Sequence, residues 1–477
     1  MVRKIVKNRL FFVFLFILLL INVYLRFSNL KTQTLTIGDE IFFFNHIKNK
    51  VKGGISGSYL PTIFLSQFFQ FNNLLNYRYF TATLSLIGII FFYIGLFSLT
   101  KNVFLSFFTS LILSINGFIL YTSRLFISDW SDIFFPCLLC FFFSQKLNSK
   151  TQLFIILSIL IGMLNHSVMI YTLPPALLYS FFYFLQIEKK EKNIKKIDIL
   201  ITIFLLLSVS FTTYLFISHI LSQKSEMENF LKWRYNSYDM KWKGYFEFTN
   251  LLNFKKLMYN FSSLLIFENP FLPFYILREN PFLVLIIILV PIFIYAISPK
   301  TDFLNYIAFI CYGTLISLLF SFIPAYHPTH FIPFFIIYLF FLSTLYNVNN
   351  KKIIKVIILI LLFLLFIGGF YSSYSYFKTN SYNELKRIIK SENITQIKVE
   401  EMAYEIMKIH SLSSLINVSS TFRCTDNGLL NFGNLEKEEI VISHAICDVL
   451  GSYGKMGFGA WNMRTLDEIR FTKVSIK

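Results

Sequence analysis

Runs of about twenty consecutive apolar residues recur along this chain, and a helix needs a run of that length to cross the hydrocarbon of a bilayer. About eleven runs qualify on that measure; they are centred near Leu18, Ile89, Ile112, Leu138, Ile159, Leu178, Phe204, Ile288, Ile316, Ile337 and Leu361. The fifth and sixth form a tight hairpin around "LNHSVMIYTLPP". So many runs predict an α-helical polytopic membrane protein. Of the 477 residues 55% are hydrophobic and only 15% charged, where a soluble domain carries about 25% charged residues. The first run, in "MVRKIVKNRLFFVFLFILLLINVYLRF", has the basic flank and apolar core of a signal peptide. It lacks a small-x-small cleavage site and further runs follow, so it is expected to stay as the first span.

The net charge of +18 would suit a nucleic-acid binder, but its placement excludes that partner. With the N-terminus inside, the short inner connections hold "RKIVKNR", "LTKN", "QKLNSK", "EKKEKNIKK", "SPKT" and "NNKKIIK". The short outer connections "YTSRLFISDW", "NHSVMIY" and "PAYHPTH" hold one basic residue, Arg124. That asymmetry is the positive-inside rule, so the excess charge reports orientation, and the partner it implies is the lipid bilayer.

This orientation predicts a multi-pass protein of the plasma (inner) membrane with a cytoplasmic N-terminus. Residues 1–375 form the membrane domain, with outer segments at about 28–77 and 222–278, and residues 376–477 form an extracytoplasmic soluble domain. In the first outer segment "IFFFNHI" and "LPTIFLSQFFQF" are amphipathic and suited to lie in the interface. In the tail "SYNELKRIIKSE" reads as a helix, "ITQIKVEEM" and "EEIVISHAI" as strands, which makes it a small α/β domain. Cys137 and Cys140 form a CxxC within an apolar run and read as small buried thiols. Cys424 and Cys447 lie in the tail, where a disulfide is chemically permitted.

Ionisable residues are costly in a bilayer and usually functional when found there. The runs are almost free of them, which argues against an ion-coupled transporter. The acids gather instead at the outer boundary: Asp39 and Glu40 in "GDEIFF", Asp129 and Asp132 in "SRLFISDWSD". "PAYHPTH" adds His327 and His330. Each has a plain structural reading beside the functional one. Asp39 and Glu40 fit a solvated turn. Asp129 fits a helix N-cap with Asp132 at the third helical position. The two histidines fit interfacial residues beside prolines.

Taken together, these patches resemble the membrane glycosyltransferases of the GT-C class, close to the protein O-mannosyltransferase and aminoarabinose (lipid A) transferase branch. "GDEIFF" is similar to that family's acidic motif in the first outer loop, with Asp39 and Glu40 at its positions. "YRYFTATLSLIGIIFFYIGLFSLTKN" is similar to its second span, which begins with an Arg-Leu-Pro-Ser-like stretch; Arg78 fits that start but the proline is missing. "YTSRLFISDWSDIFF" is similar to its Ser-Arg-x-x-x-x-Asp pattern, with Ser123, Arg124 and Asp129 in register. Where the family often carries Arg-Tyr before a proline, "THFIPFF" offers His330 and Phe331, a departure. The tail matches no such pattern.

The resemblance implies transfer of a sugar from a polyprenyl-phosphate donor to an extracytoplasmic protein, lipid or cell-envelope glycan. It assigns Asp39 as general base toward the acceptor hydroxyl, with Glu40 beside it positioning acceptor or donor sugar. Arg124, Arg78, His327 and His330 become the cations facing the leaving phosphate, and Asp129 and Asp132 the remaining substrate-binding acids. No cofactor is required; a divalent cation held by Asp39, Glu40 and Asp129 is the alternative. The rival classes are a lipid-linked glycan flippase or other transporter, and a wall-glycan ligase or polymerase.

Overall fold

The computed structural model describes residues 9–30, 60–67, 74–125, 130–145, 149–179, 281–319 and 331–378, four short strands beyond them, and the isolated Phe44 and Ile47. The described residues are mostly helical. In chain order the helices are α1 (Arg9–Phe27), α2 (Leu60–Ser66), α3 (Leu74–Thr100), α4 (Val103–Ile115), α5 (Gly117–Arg124), α6 (Trp130–Phe143) and α7 (Ser149–Asn165). After a 3₁₀ turn, Ser167–Thr172, come α8 (Pro281–Ile297), α9 (Asp302–Leu319), α10 (Ile332–Val348) and α11 (Lys352–Lys378). Every apolar run expected from the sequence meets a helix except the one near Phe204, which lies outside the described residues.

Among the described residues three helices are long and apolar enough to cross a membrane: α1, α3 from Leu75, and α11 to Tyr374. The bent pair α4–α5 makes a fourth. The remaining apolar helices are 10–17 residues long, shorter than the spans expected there. The outside of the bundle fits a lipid surround. Phe12, Phe16 and Leu20 on α1, and Ile353, Ile360 and Phe363 on α11, are exposed, an apolar surface that water would penalise.

Inside, small residues set the spacing. Lipid tails are as apolar as leucine, so close packing rather than water exclusion must hold helices together. Gly88 and Gly95, seven residues apart on α3, provide that close approach to α6. A Cβ on them would come 3.1 Å from the Phe134 Cα and 2.9 Å from the Phe141 Cα. Helix α10 is the axis of the core, buried without interruption from Ile332 to Leu345.

Two of the interruptions among the described helices are answered from a neighbour. Pro291 in α8 has no N–H to give the carbonyl four residues back. Tyr338 of α10 donates its hydroxyl to that carbonyl, of Ile287, at 2.8 Å, and Tyr312 of α9 donates to the Ile288 carbonyl at 3.1 Å. The sequence run around Ile112, read as one span, is broken at Asn116 into α4 and α5, inclined by 63°. Asn116 closes α4 by donating its N–H to the Ile112 carbonyl, and its side-chain oxygen opens α5 by accepting from the Ile119 N–H. The last helix completes the repair. Ser372 accepts from the Gly117 N–H at 2.8 Å, and Ser373 donates to the Ile115 carbonyl. Only glycine fits at 117, where a Cβ would lie 2.7 Å from Ser372.

Beyond α11 lie strands β1 (Gln396–Glu400), β2 (Asn417–Phe422), β3 (Ile440–Ser443) and β4 (Arg470–Lys473), in the order β2-β1-β3-β4. The first and third are the strands expected in "ITQIKVEEM" and "EEIVISHAI". β1 pairs in parallel with β2 and β3, while β4 runs antiparallel to β3. Parallel neighbours need connections of about a dozen residues or more, and residues 401–416 and 423–439 supply them. The helix expected in "SYNELKRIIKSE", and Cys424 and Cys447, lie outside the described residues. Cys137, Cys140 and Cys311 are buried free thiols.

Candidate functional site

Of the eight site residues expected from sequence, the described residues include Arg78, Arg124 and Asp132. Asp39, Glu40, Asp129, His327 and His330 lie outside them.

The two arginines meet at one place, the C-terminal end of α1. That end is where a helix leaves carbonyls without intrahelical donors and carries partial negative charge. Asn29 turns the chain there in the left-handed region, φ 50°, a conformation asparagine tolerates at a helix end. Arg124, the last residue of α5, donates one Nη to the Leu25 carbonyl and the other to the Ser28 carbonyl at 2.6 Å. Its guanidinium lies 5.4 Å from the Phe377 ring centre on α11. Arg78, in the second turn of α3, donates to the Leu30 carbonyl at 3.1 Å. Both side chains are only 1% exposed.

A third guanidinium sits among them. Arg26, in the last turn of α1, is wholly buried, and the charge of Arg124 is close enough to act on it. Its Nη1 donates to Asn22 Oδ1 at 2.5 Å and to the Ser114 carbonyl at 3.5 Å. Asn22 in turn donates to Ser114 Oγ at 2.9 Å. The opposite edge of the guanidinium, Nε and Nη2, meets no hydrogen-bond partner among the described residues. The sequence reading did not single out Arg26. The signal was present: Asn22 and Arg26 stand four residues apart on one face of an otherwise apolar helix.

Asp132 is engaged elsewhere. It is fully buried in the first turn of α6, and its Oδ2 lies 2.6 Å from His166 Nδ1 at the end of α7. Its Oδ1 has no hydrogen-bond partner among the described residues. It therefore reaches across to the end of α7, while Asp129, its partner in the expected cap, lies outside the described residues. Around the pair, Thr62 of α2 receives the Trp130 indole N–H at 3.1 Å. The same threonine donates both its hydroxyl and its backbone N–H to Asn165 Oδ1. The stretch "LPTIFLS", expected at an interface, is thus a short helix pinned on α6 and α7. His166 lies 34 residues from its carboxylate partner, which comes from another helix, and sequence spacing does not reveal such a pair.

Among the described residues no three His, Cys, Asp or Glu side chains come together as a metal site. What the arrangement offers chemically is positive: three buried guanidinium groups from three helices at one end of the bundle. Comparisons with protein-family models, with curated proteins and with solved structures found no match.

Proposed function

We propose that this chain is an integral membrane glycosyltransferase that moves a sugar from a polyprenyl-phosphate donor to an extracytoplasmic acceptor. In this reading the chain crosses the membrane about eleven times. Its N-terminus is cytoplasmic, and residues 376–477 form an α/β domain on the outer side. The observation that carries the reading is the gathering of Arg26, Arg78 and Arg124 at one end of a lipid-facing helical bundle. Buried cations in a membrane protein mark the path or seat of an anion, and a lipid phosphate reaches that depth with its chain still in the bilayer.

The departing phosphate gains charge as the bond to the anomeric carbon breaks, and fixed guanidinium groups lower the energy of that state. His327 and His330 are placed by the proposed topology on the same side. The attacking hydroxyl must lose its proton, and Asp39 is assigned to take it, with Glu40 and Asp129 orienting the sugar and acceptor. A single displacement inverts the anomeric centre. A lipid monophosphate is a good leaving group, so the reaction needs no cofactor; a divalent cation on Asp39, Glu40 and Asp129 is the alternative.

The test is turnover of radiolabelled polyprenyl-phosphate sugars by purified protein in lipid, with and without acceptor extracts. Asp39→Asn is expected to lower turnover of the accepted donor by at least about a hundredfold, the general-base contribution, with donor binding retained. Equal turnover in both proteins would remove Asp39 from the mechanism.

One observation favours a second reading, a transporter of lipid-linked glycans. The buried Asp132–His166 pair is the kind of ionisable couple that proton-driven carriers use. Flux of labelled lipid across vesicles without any sugar transfer would select it.

A further inference from the structure

The three guanidinium groups are not equivalent, and the difference identifies the one that takes the anion. Arg124 holds two carbonyls of the α1 terminus and Arg78 holds a third. Both are tied to the chain's own backbone. Arg26 is tied on one side only. The edge formed by Nε–H and one Nη2–H is the fork by which arginine takes two oxygens of one anion side-on. In Arg26 those are the two nitrogens without a partner among the described residues. Asn22 and Ser114 hold the other edge and fix which way the fork faces. A fully buried cation with a second guanidinium nearby is strongly unfavourable unless an anion lies against it.

We propose that the Nε/Nη2 edge of Arg26 is the seat of a phosphate group. The inference rests on the transferase reading for its preferred source, the phosphate of a polyprenyl lipid. A bilayer phospholipid headgroup or free inorganic phosphate shares the same chemistry. In this division of labour Arg78 and Arg124 shape the α1 terminus and Arg26 makes the bidentate contact. The asparagine at position 22 then acts as a positioning residue, setting the guanidinium plane.

The experiment uses the full chain in neutral nanodiscs and three probes in separate arms: a short-chain polyprenyl monophosphate, phosphatidylglycerol introduced into the disc, and inorganic phosphate. Binding is read from ³¹P chemical shifts and from ligand-induced thermal stabilisation. Arg26→Gln is expected to weaken the polyprenyl phosphate by at least about tenfold, the loss of a charge-assisted pair. Arg26→Lys keeps the charge without the fork and is expected to fall between the two, and it serves as the reporter if the glutamine variant does not fold. Asn22→Ala is expected to weaken binding by a smaller factor while leaving phosphate stoichiometry unchanged. Weakening by Arg26→Gln in any arm supports the seat, and the tightest arm names the source.

Unchanged affinity in both Arg26 variants overturns the proposal. So does a fall in the ligand-free thermal midpoint on Arg26→Gln that disappears in a background of Asp39→Asn, Glu40→Gln or Asp129→Asn, because the counter-ion would then be an acid of this chain. The two readings fail separately. Sugar turnover with Arg26 variants that still bind normally removes the seat and leaves the transferase. Arg26-dependent binding without turnover of any donor does the reverse.

Discussion

Two buried polar regions of this molecule touch through Ser114, and they are built on opposite principles. At the α4–α5 break backbone groups on both sides of the bend have been given partners: Asn116 serves both helix ends, and Ser372 and Ser373 answer Gly117 and Ile115. A turn away, Arg26 has one edge held and the other open among the described residues. A closed network inside a membrane protein holds shape, since each member is satisfied by another. An open one is a candidate site, because its unmet demand is for something the described residues do not supply there. The Asp132–His166 pair lies between these cases, closed on Oδ2 and open on Oδ1 among the described residues.

That contrast can be broken, and the strongest attempt is at the intermediate case. Replacing His166 by Leu strands a carboxylate that is fully buried, at an expected cost of about 3–5 kcal/mol, seen as a large fall in thermal midpoint in detergent. The double replacement with Asp132→Leu should recover most of that fall; if it does not, the pair is not the unit assumed here. Next comes Gly117→Val, which drives a side chain into Ser372 and should cost about 3 kcal/mol by overpacking. Ser372→Ala, by leaving the Gly117 N–H without its acceptor, should cost about 1–3 kcal/mol in the same assay. The smallest effect sharpens the comparison most. Arg26→Gln, in the absence of ligand, should leave the thermal midpoint unchanged or raise it, because removing a buried charge offsets the lost bond to Asn22. A fall as deep as that of His166→Leu would place Arg26 among the closed networks.

The sequence made the helical, lipid-facing character plain, because long apolar runs have few other uses. It also singled out Arg78 and Arg124 from their place beside the spans. It could not show that their donors go to carbonyls of α1, since those contacts join residues 48 and 96 positions apart. The break near Ile112 had a local signal, the Asn-Gly pair at 116–117, which marks turns elsewhere. Apolar residues on both sides hid it. Arg26 was overlooked because a basic residue after an apolar run ordinarily reads as an interface anchor. What separates it from an anchor is burial, and burial depends on α4 and α5 lying against it.

The serines that close the third run come from the last helix, 255 residues further along the chain from Gly117. Synthesis proceeds from the N-terminus at about 5–20 residues per second, so α11 follows α4 by roughly ten to fifty seconds. Throughout that interval the bend at Asn116 has no companion for its exposed amide and carbonyl. The growing protein must keep the run straight, or shelter it near the insertion machinery, until its final hydrophobic segment arrives. A chain cut short before Ser372 never gains the partners that α11 brings to the Gly117 N–H and the Ile115 carbonyl, and its third run stays unfinished.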